Sequence, residues 1–279
     1  MIKYYSINGE IVPKEKAMIG IDDLIVTRGY GVFDYFRVFN GKLAFIEDHL
    51  DRFQNSAKEL GLEIPYSRAE MTTKIKEIVA ANEIDKCGVK VILTGGYSTT
   101  GFSPGTPNIL MMVSELPTYP DSYYTNGIKL MAYEYTRETP YTKTTNYLVP
   151  IQIANEIKEA EAFDVLYHDG TYISESARSN FFIFDHNDTL ITPDRDALRG
   201  ITRKQVLAVA KDHFKVEIRP LTLKETMAAK EAFMTSSSKA VMPVRQVDFW
   251  RINKGVIGEN TKKIMRLFDE HLKQYLANQ

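Results

Sequence analysis

From Val32 to Ile46 apolar and polar positions alternate on both sides of Asn40-Gly41, a dipeptide that accepts the positive φ angles of a two-residue turn, and this predicts a β-hairpin. Alternation puts Phe33, Tyr35, Arg37 and Phe39 on one face of its first arm and Val32, Asp34, Phe36 and Val38 on the other, so each face carries a charge. From Glu47 to Leu60 the period changes. Leu50, Phe53, Ala57 and Leu60 recur at the three-to-four spacing of a helix packed by one face, and a second helix is expected over Ser67 to Asn82. The β-branched, apolar runs Gly88 to Thr94 and Asn108 to Val113, parted by Gly, Thr, Ser and Pro, read as two strands and complete a first α/β unit.

Prolines, tyrosines and small polar residues fill Leu116 to Gly127 without a period. The domain boundary is placed there, giving a small N-terminal α/β domain over 1–117, a linker over 118–126 and a larger domain over 127–279. In the larger domain a helix is expected from Asn146 to Ala162, with Pro150 near its first turn. Val165 to His168 and Thr171 to Glu175 flank Asp169-Gly170 as a second hairpin, which Ser179 to Phe184 and Thr189 to Ile191 extend as a meander. Helices are expected over Thr202 to Phe214 and Gly258 to Leu276.

With 44% apolar and 25% charged residues in 279, the chain can bury a substantial core. A formal net charge of −1 supplies no surplus for polyphosphate or an anionic bilayer, so neither nucleic acid nor membrane is expected as a partner. The single cysteine, Cys87, forbids an intrachain disulfide and a thiolate metal cluster, and no metal site is expected. The beginning of the sequence lacks a signal-peptide run, and no stretch of about 18 uncharged apolar residues occurs. A cytoplasmic location is the expectation.

Two segments could hold an anion. Gly200-Ile201-Thr202-Arg203 precedes an amphipathic helix whose first N–H groups lack intrahelical partners, and Thr235-Ser236-Ser237-Ser238 follows an apolar strand with hydroxyls and turn amides. Each alone also reads as an ordinary helix start or polar loop.

The ordered series Lys143-Thr144-Thr145-Asn146-Tyr147-Leu148, then Asp169 through Glu175-Ser176-Ala177-Arg178-Ser179-Asn180, then Leu198-Arg199-Gly200-Ile201-Thr202-Arg203 resembles the class IV aminotransferases, the fold-type IV pyridoxal-phosphate enzymes. Gly31-Val32-Phe33-Asp34, His49-Leu50-Asp51-Arg52 and Phe233-Met234-Thr235-Ser236 match as well, so the likeness spans nearly the whole chain. The resemblance implies a mixed α+β, two-domain fold with a β-barrel-like C-terminal domain and flanking helices, pyridoxal 5'-phosphate as cofactor, and a homodimer. It makes Lys143 the Schiff-base lysine and proton carrier, and Glu175 the acid facing the pyridine nitrogen. It also makes Arg52 a phosphate ligand, with backbone amides from Ile201 and Thr202 and hydroxyls from Ser237 and Ser236; Leu198 packs on the ring, Tyr147 meets its phenolic oxygen, and Ser238 is expected on the substrate side.

Arg28, Arg37 and Arg178 lie beside matched segments, with Phe33 and Tyr35 on the same arm face as Arg37, and arginines in a pocket imply carboxylates. Alternation sets Arg178 and Glu175 on opposite faces unless the strand bends or ends between them. D-amino acid aminotransferases of the family carry an Arg-x-His carboxylate trap in the loop matching Gly96 to Phe102, and this chain has neither residue there. The preferred expectation is transamination between a D-amino acid, D-glutamate or D-alanine, and a 2-oxo acid, with Arg28, Arg37 or Arg178 supplying the missing charge. Phe33-Asp34-Tyr35-Phe36-Arg37 resembles an L-branched-chain aminotransferase segment, so that activity stays open. So do an aminodeoxychorismate lyase and, outside enzymes, a non-catalytic binding module of the same fold.

Overall fold

The computed structural model describes residues 1–279. They form two compact units, one of Met1–Pro117, Thr142–Asn146 and Tyr275–Gln279, the other of Thr118–Tyr141 and Tyr147–Gln274. Both mix helices with sheet, and the larger sheet is curled into a half-barrel, as the sequence led us to expect. No helix is long and apolar enough to cross a membrane.

The first unit contains β1 (Tyr4–Ile7), β2 (Glu10–Pro13), α1 (Leu24–Arg28), β3 (Gly31–Phe39), β4 (Lys42–Leu43), α2 (Ile46–Glu59), α3 (Arg68–Ala81), β5 (Lys86–Thr94) and β6 (Ile109–Ser114). Its six strands run in the order β2-β1-β6-β5-β3-β4, all antiparallel. The alternation in β3 is realised: Val32, Asp34, Phe36 and Val38 are buried, while Phe33, Tyr35, Arg37 and Phe39 are half-buried. Asn40 and Gly41 turn the hairpin with φ of 50° and 74°. Leu50, Phe53 and Ala57 of α2 join Ile75, Ile78 and Val79 of α3 and the buried face of β3 in one core.

Thr142–Asn146 and Tyr275–Gln279, both placed by the sequence in the larger domain, belong to this unit instead. The reason is hydrogen bonding. Strand β4 pairs only Val38 and Phe39, which leaves the other end of that β3 edge without a neighbour. Lys143 O accepts from Phe33 N at 2.9 Å, Thr145 N donates to Gly31 O at 3.0 Å, and Thr144 bridges Val32.

The second unit contains α4 (Asp121–Thr125), β7 (Ile128–Glu134), α5 (Leu148–Gln152), α6 (Ala154–Glu159), β8 (Asp164–His168), β9 (Tyr172–Ile173), β10 (Glu175–Ser176), β11 (Ser179–Phe184), β12 (Leu190–Thr192), α7 (Ile201–Ala210), β13 (Val216–Ile218), β14 (Leu221–Thr222), α8 (Leu223–Met227), β15 (Glu231–Ser236), β16 (Ala240–Val247), β17 (Trp250–Arg251) and, up to Gln274, α9 (Glu259–Ala277). Its sheet runs β13-β12-β11-β15-β16-β7-β8-β9-β14, with β10 on β11 and β17 on β16. Every residue of β11 is buried, as a strand covered on both faces requires.

Two expectations change here. Residues 118–126 are not an open linker: α4 forms, and Tyr119 and Tyr123 set their rings edge-on to Phe163 against the core. A five-residue helix is too short to display a period in sequence. The helix expected over 146–162 is two helices broken at Ile153, whose ψ of 11° leaves the helical range while its side chain packs beside Val165 and Tyr167.

Candidate active site

In the first unit, a polar cluster is buried under β3. Asp34, 1% exposed, accepts Nε of Arg52 at 2.8 Å and Nη2 at 2.6 Å, and stands 2.8 Å from His49 Nδ1. Burial alone would raise the Asp34 carboxyl, but the charges and hydrogen bonds of Arg52 and His49 outweigh it and hold the group well below the usual carboxylate range. Burial pushes the His49 ring down, helped by Arg52 and Lys143 and opposed by Asp34. Helix α2 carries His49, Arg52 and Ser56 on neighbouring turns, and Ser56 Oγ accepts the Lys143 N–H at 3.1 Å.

Lys143 is half-buried, and its ammonium lies 4.4 Å from the centre of the Phe33 ring. Lys143, Phe33 and Arg52, all singled out from the sequence, therefore share one unit, and Asp34 and His49 join them. The sequence did hold a signal for this: a lone aspartate on the apolar face of β3 requires a buried partner. Tyr35 lies against Gly88, where a Cβ would come within 2.2 Å of its hydroxyl, and Arg37 sits 5.3 Å from the Phe39 ring. Arg28 is exposed at the end of α1, with its guanidinium 4.9 Å from the Phe102 ring.

In the second unit, Glu175 is 3% exposed on the two-residue strand β10. Its Oε2 accepts from Asn180 Nδ2 at 3.2 Å and Leu198 N at 3.1 Å, and its Oε1 is 3.1 Å from Arg137 Nε. Asn180 Nδ2 also donates to Leu198 O at 2.7 Å, tying β11 to the loop before α7. Gly200 has to be glycine, because a Cβ there would stand 1.9 Å from Asn180 Oδ1. Gly200 is the N-cap of α7, and no side chain caps it; Ile201 and Thr202 are buried in the first turn. Glycine offers no side-chain acceptor to the first amides, which suits them to an external anion.

Arg178 is exposed in the turn between β10 and β11, so the strand does end between Glu175 and Arg178. Tyr147 is half-buried with Arg137 5.5 Å from its ring centre. Ser236, Ser237 and Ser238 are half-buried at the β15–β16 turn, and Ser236 Oγ accepts from Lys239 N at 3.2 Å. Thr235, in register with Asn180, has a buried hydroxyl without a hydrogen-bond partner. Sequence reasoning missed Arg137 and Lys239. The Lys239 side chain is 1% exposed and donates to Ser179 Oγ at 3.1 Å, but neither residue sits in a pattern that marks it among the chain's other cations.

The first unit thus presents a half-buried lysine beside a buried Asp34–Arg52 pair, and the second a buried carboxylate braced by amides and a guanidinium next to an uncapped helix start. The class IV aminotransferase family model matches residues 31–247, and the chain belongs to that family, whose members work with pyridoxal 5'-phosphate. It is 30% identical to a putative branched-chain-amino-acid aminotransferase of Methanocaldococcus jannaschii, over 95% of this chain and 94% of that one. It is 28% identical to a D-alanine aminotransferase of Bacillus licheniformis, over 92% and 93%. Among solved structures, the T.th. branched-chain amino acid aminotransferase in complex with N-(5'-phosphopyridoxyl)-L-glutamate superposes with a TM-score of 0.90 at 26% identity, covering 97% of this chain and 94% of that one.

Proposed function

We propose that this aminotransferase transfers the amino group of a D-amino acid, D-glutamate or D-alanine, to a 2-oxo acid. The observation that carries the D reading is Arg28. Its exposed guanidinium rests 4.9 Å from the ring of Phe102, within the loop where D-specific relatives place their Arg-x-His trap. A cation from α1 thus stands where the loop itself has none, available to a substrate carboxylate. Both D-alanine and branched-chain enzymes occur among the relatives. Arg178, exposed at the β10–β11 turn, and Arg37 are further carboxylate partners, with Phe33 and Tyr35 as apolar walls and Ser238 at the rim.

The donor set fits pyridoxal phosphate: a buried anion for a ring nitrogen, uncapped helix amides for a phosphate, and the unpartnered hydroxyl of Thr235. The cofactor, when bound, supplies an electron-withdrawing ring that stabilises negative charge at the substrate's alpha carbon. Lys143 would be the residue that holds the cofactor through its amine and that carries the proton to and from that carbon. Its main chain is held by β3 and Ser56, which fixes the origin of a flexible side chain. Glu175, as an anion, would face the ring nitrogen and keep the proton on it. In the first unit Arg52, aimed by Asp34, would take phosphate oxygens; in the second the amides of Ile201 and Thr202 and the hydroxyls of Ser237 and Ser236 would offer donors to them. Leu198 would pack on the ring, and Tyr147 would meet its phenolic oxygen.

A homodimer in the cytoplasm is part of the same proposal. The deciding experiment pairs donors: D-glutamate with pyruvate should yield D-alanine, while L-leucine with 2-oxoglutarate should yield no glutamate. Turnover of L-leucine with no D-product would replace this reading with the branched-chain one.

A further inference from the structure

Arg137 belongs to none of the short motifs around Lys143, Glu175 and Gly200, yet it touches both Glu175 and Tyr147. Its Nε is 3.1 Å from Glu175 Oε1, its Nη2 donates to the Ala177 carbonyl, and its guanidinium carbon is 5.5 Å from the Tyr147 ring centre. Its side chain is 19% exposed. A guanidinium that has surrendered most of its hydration must recover it from partners, and here they are a carboxylate, a carbonyl and a ring face. Burial would favour loss of its proton, but the Glu175 charge outweighs burial and keeps Arg137 cationic.

We propose that Arg137 is a positioning residue that holds Glu175 as an anion in one orientation and fixes the Tyr147 ring beside it, and so keeps the proton shared with the cofactor on the ring nitrogen. The inference rests on the reading in which Glu175 faces that nitrogen. Asn180 and Leu198 already donate to Oε2, so Arg137 at Oε1 gives the second oxygen a cationic neighbour as well. A carboxylate so surrounded is a poor base, and a proton between it and a pyridine stays on nitrogen. Without the guanidinium, the carboxylate competes for the proton and the ring withdraws electrons less strongly.

The test reconstitutes the apoprotein with pyridoxal phosphate labelled with nitrogen-15 in the ring and follows the ring nitrogen by NMR through a pH titration. In Arg137→Gln the shared proton should pass in part from the nitrogen to Glu175, so that below the titration midpoint the nitrogen-15 signal lies nearer its unprotonated position than in wild type. The kcat should fall at least about tenfold with the donor KM changed less than about threefold, and Arg137→Lys should restore both. Should Arg137→Gln not fold, Arg137→Met gives the same comparison. A nitrogen that titrates as in wild type in the neutral variant overturns the proposal, as does a kcat loss that lysine does not rescue; a purely structural role would lower the melting temperature alone. Glu175→Gln separates the two levels. If it moves the nitrogen and Arg137→Gln does not, only the role of Arg137 falls; if it does not move the nitrogen, the assignment of Glu175 falls too.

Discussion

Asp34 takes Arg52 with both carboxylate oxygens, Nε to Oδ2 at 2.8 Å and Nη2 to Oδ1 at 2.6 Å, in a region where Asp34 is 1% exposed. A fork-to-fork pair of this kind fixes the plane of the guanidinium and leaves Nη1 outside the grip, so the arginine is aimed before any ligand arrives. His49, 2.8 Å from the same carboxylate, closes the cluster.

Breaking that pair should be costly. Asp34→Ala leaves a mostly buried guanidinium without its anion, and a loss of about 3–5 kcal/mol in urea unfolding is expected. Pyridoxal phosphate affinity, read by fluorescence titration, should fall with it. A variant as stable as wild type would contradict the buried ion pair.

The same cluster sets a pH dependence with two parts. The Asp34 carboxyl lies below its ordinary range when folded, so its stabilisation is present above the unfolded value of about 3.9 and is lost as pH falls below it. The His49 ring is also depressed, so the unfolded chain binds the extra proton first, and stability declines as pH falls through about 6.5. Melting temperatures between these values should show the second slope in wild type and not in His49→Gln.

Gly200→Ala is predicted to be disproportionately harmful for one methyl group. Its Cβ would meet Asn180 Oδ1 at 1.9 Å, and Asn180 is the tie between Glu175 and Leu198. Overpacking should cost about 1–3 kcal/mol, and the fraction of cofactor fixed by borohydride should drop. Wild-type values in both measurements would show that the loop before α7 yields freely.

Lys143→Ala should fold and bind free cofactor but lose transamination at least about 100-fold, with no covalent attachment after borohydride. Attachment at an unchanged level, located by peptide mass mapping on another lysine, would refute its role.

Arg28→Ala removes an exposed side chain, so the melting temperature should stay within error while kcat/KM for D-glutamate falls about 10-fold to 100-fold. An unchanged kcat/KM would exclude Arg28 from carboxylate recognition.

Periodicity made the local elements legible. The alternation that buries Val32, Asp34, Phe36 and Val38, the turn at Asn40-Gly41 and the apolar stripe of α2 follow from which side chains face together, a property of neighbours in sequence. The motifs around Lys143, Glu175 and Gly200 named the family and its cofactor for the same reason, since each is a short run with a fixed spacing. What residue order could not decide is pairing across distance. That Lys143 would leave its neighbours to pair with β3, that Asp34 would face Arg52, and that Arg137 would stand at Glu175 depend on open strand edges and buried charges finding partners. Those requirements are met only when the whole chain is packed, because a desolvated group accepts whichever partner the fold brings within reach.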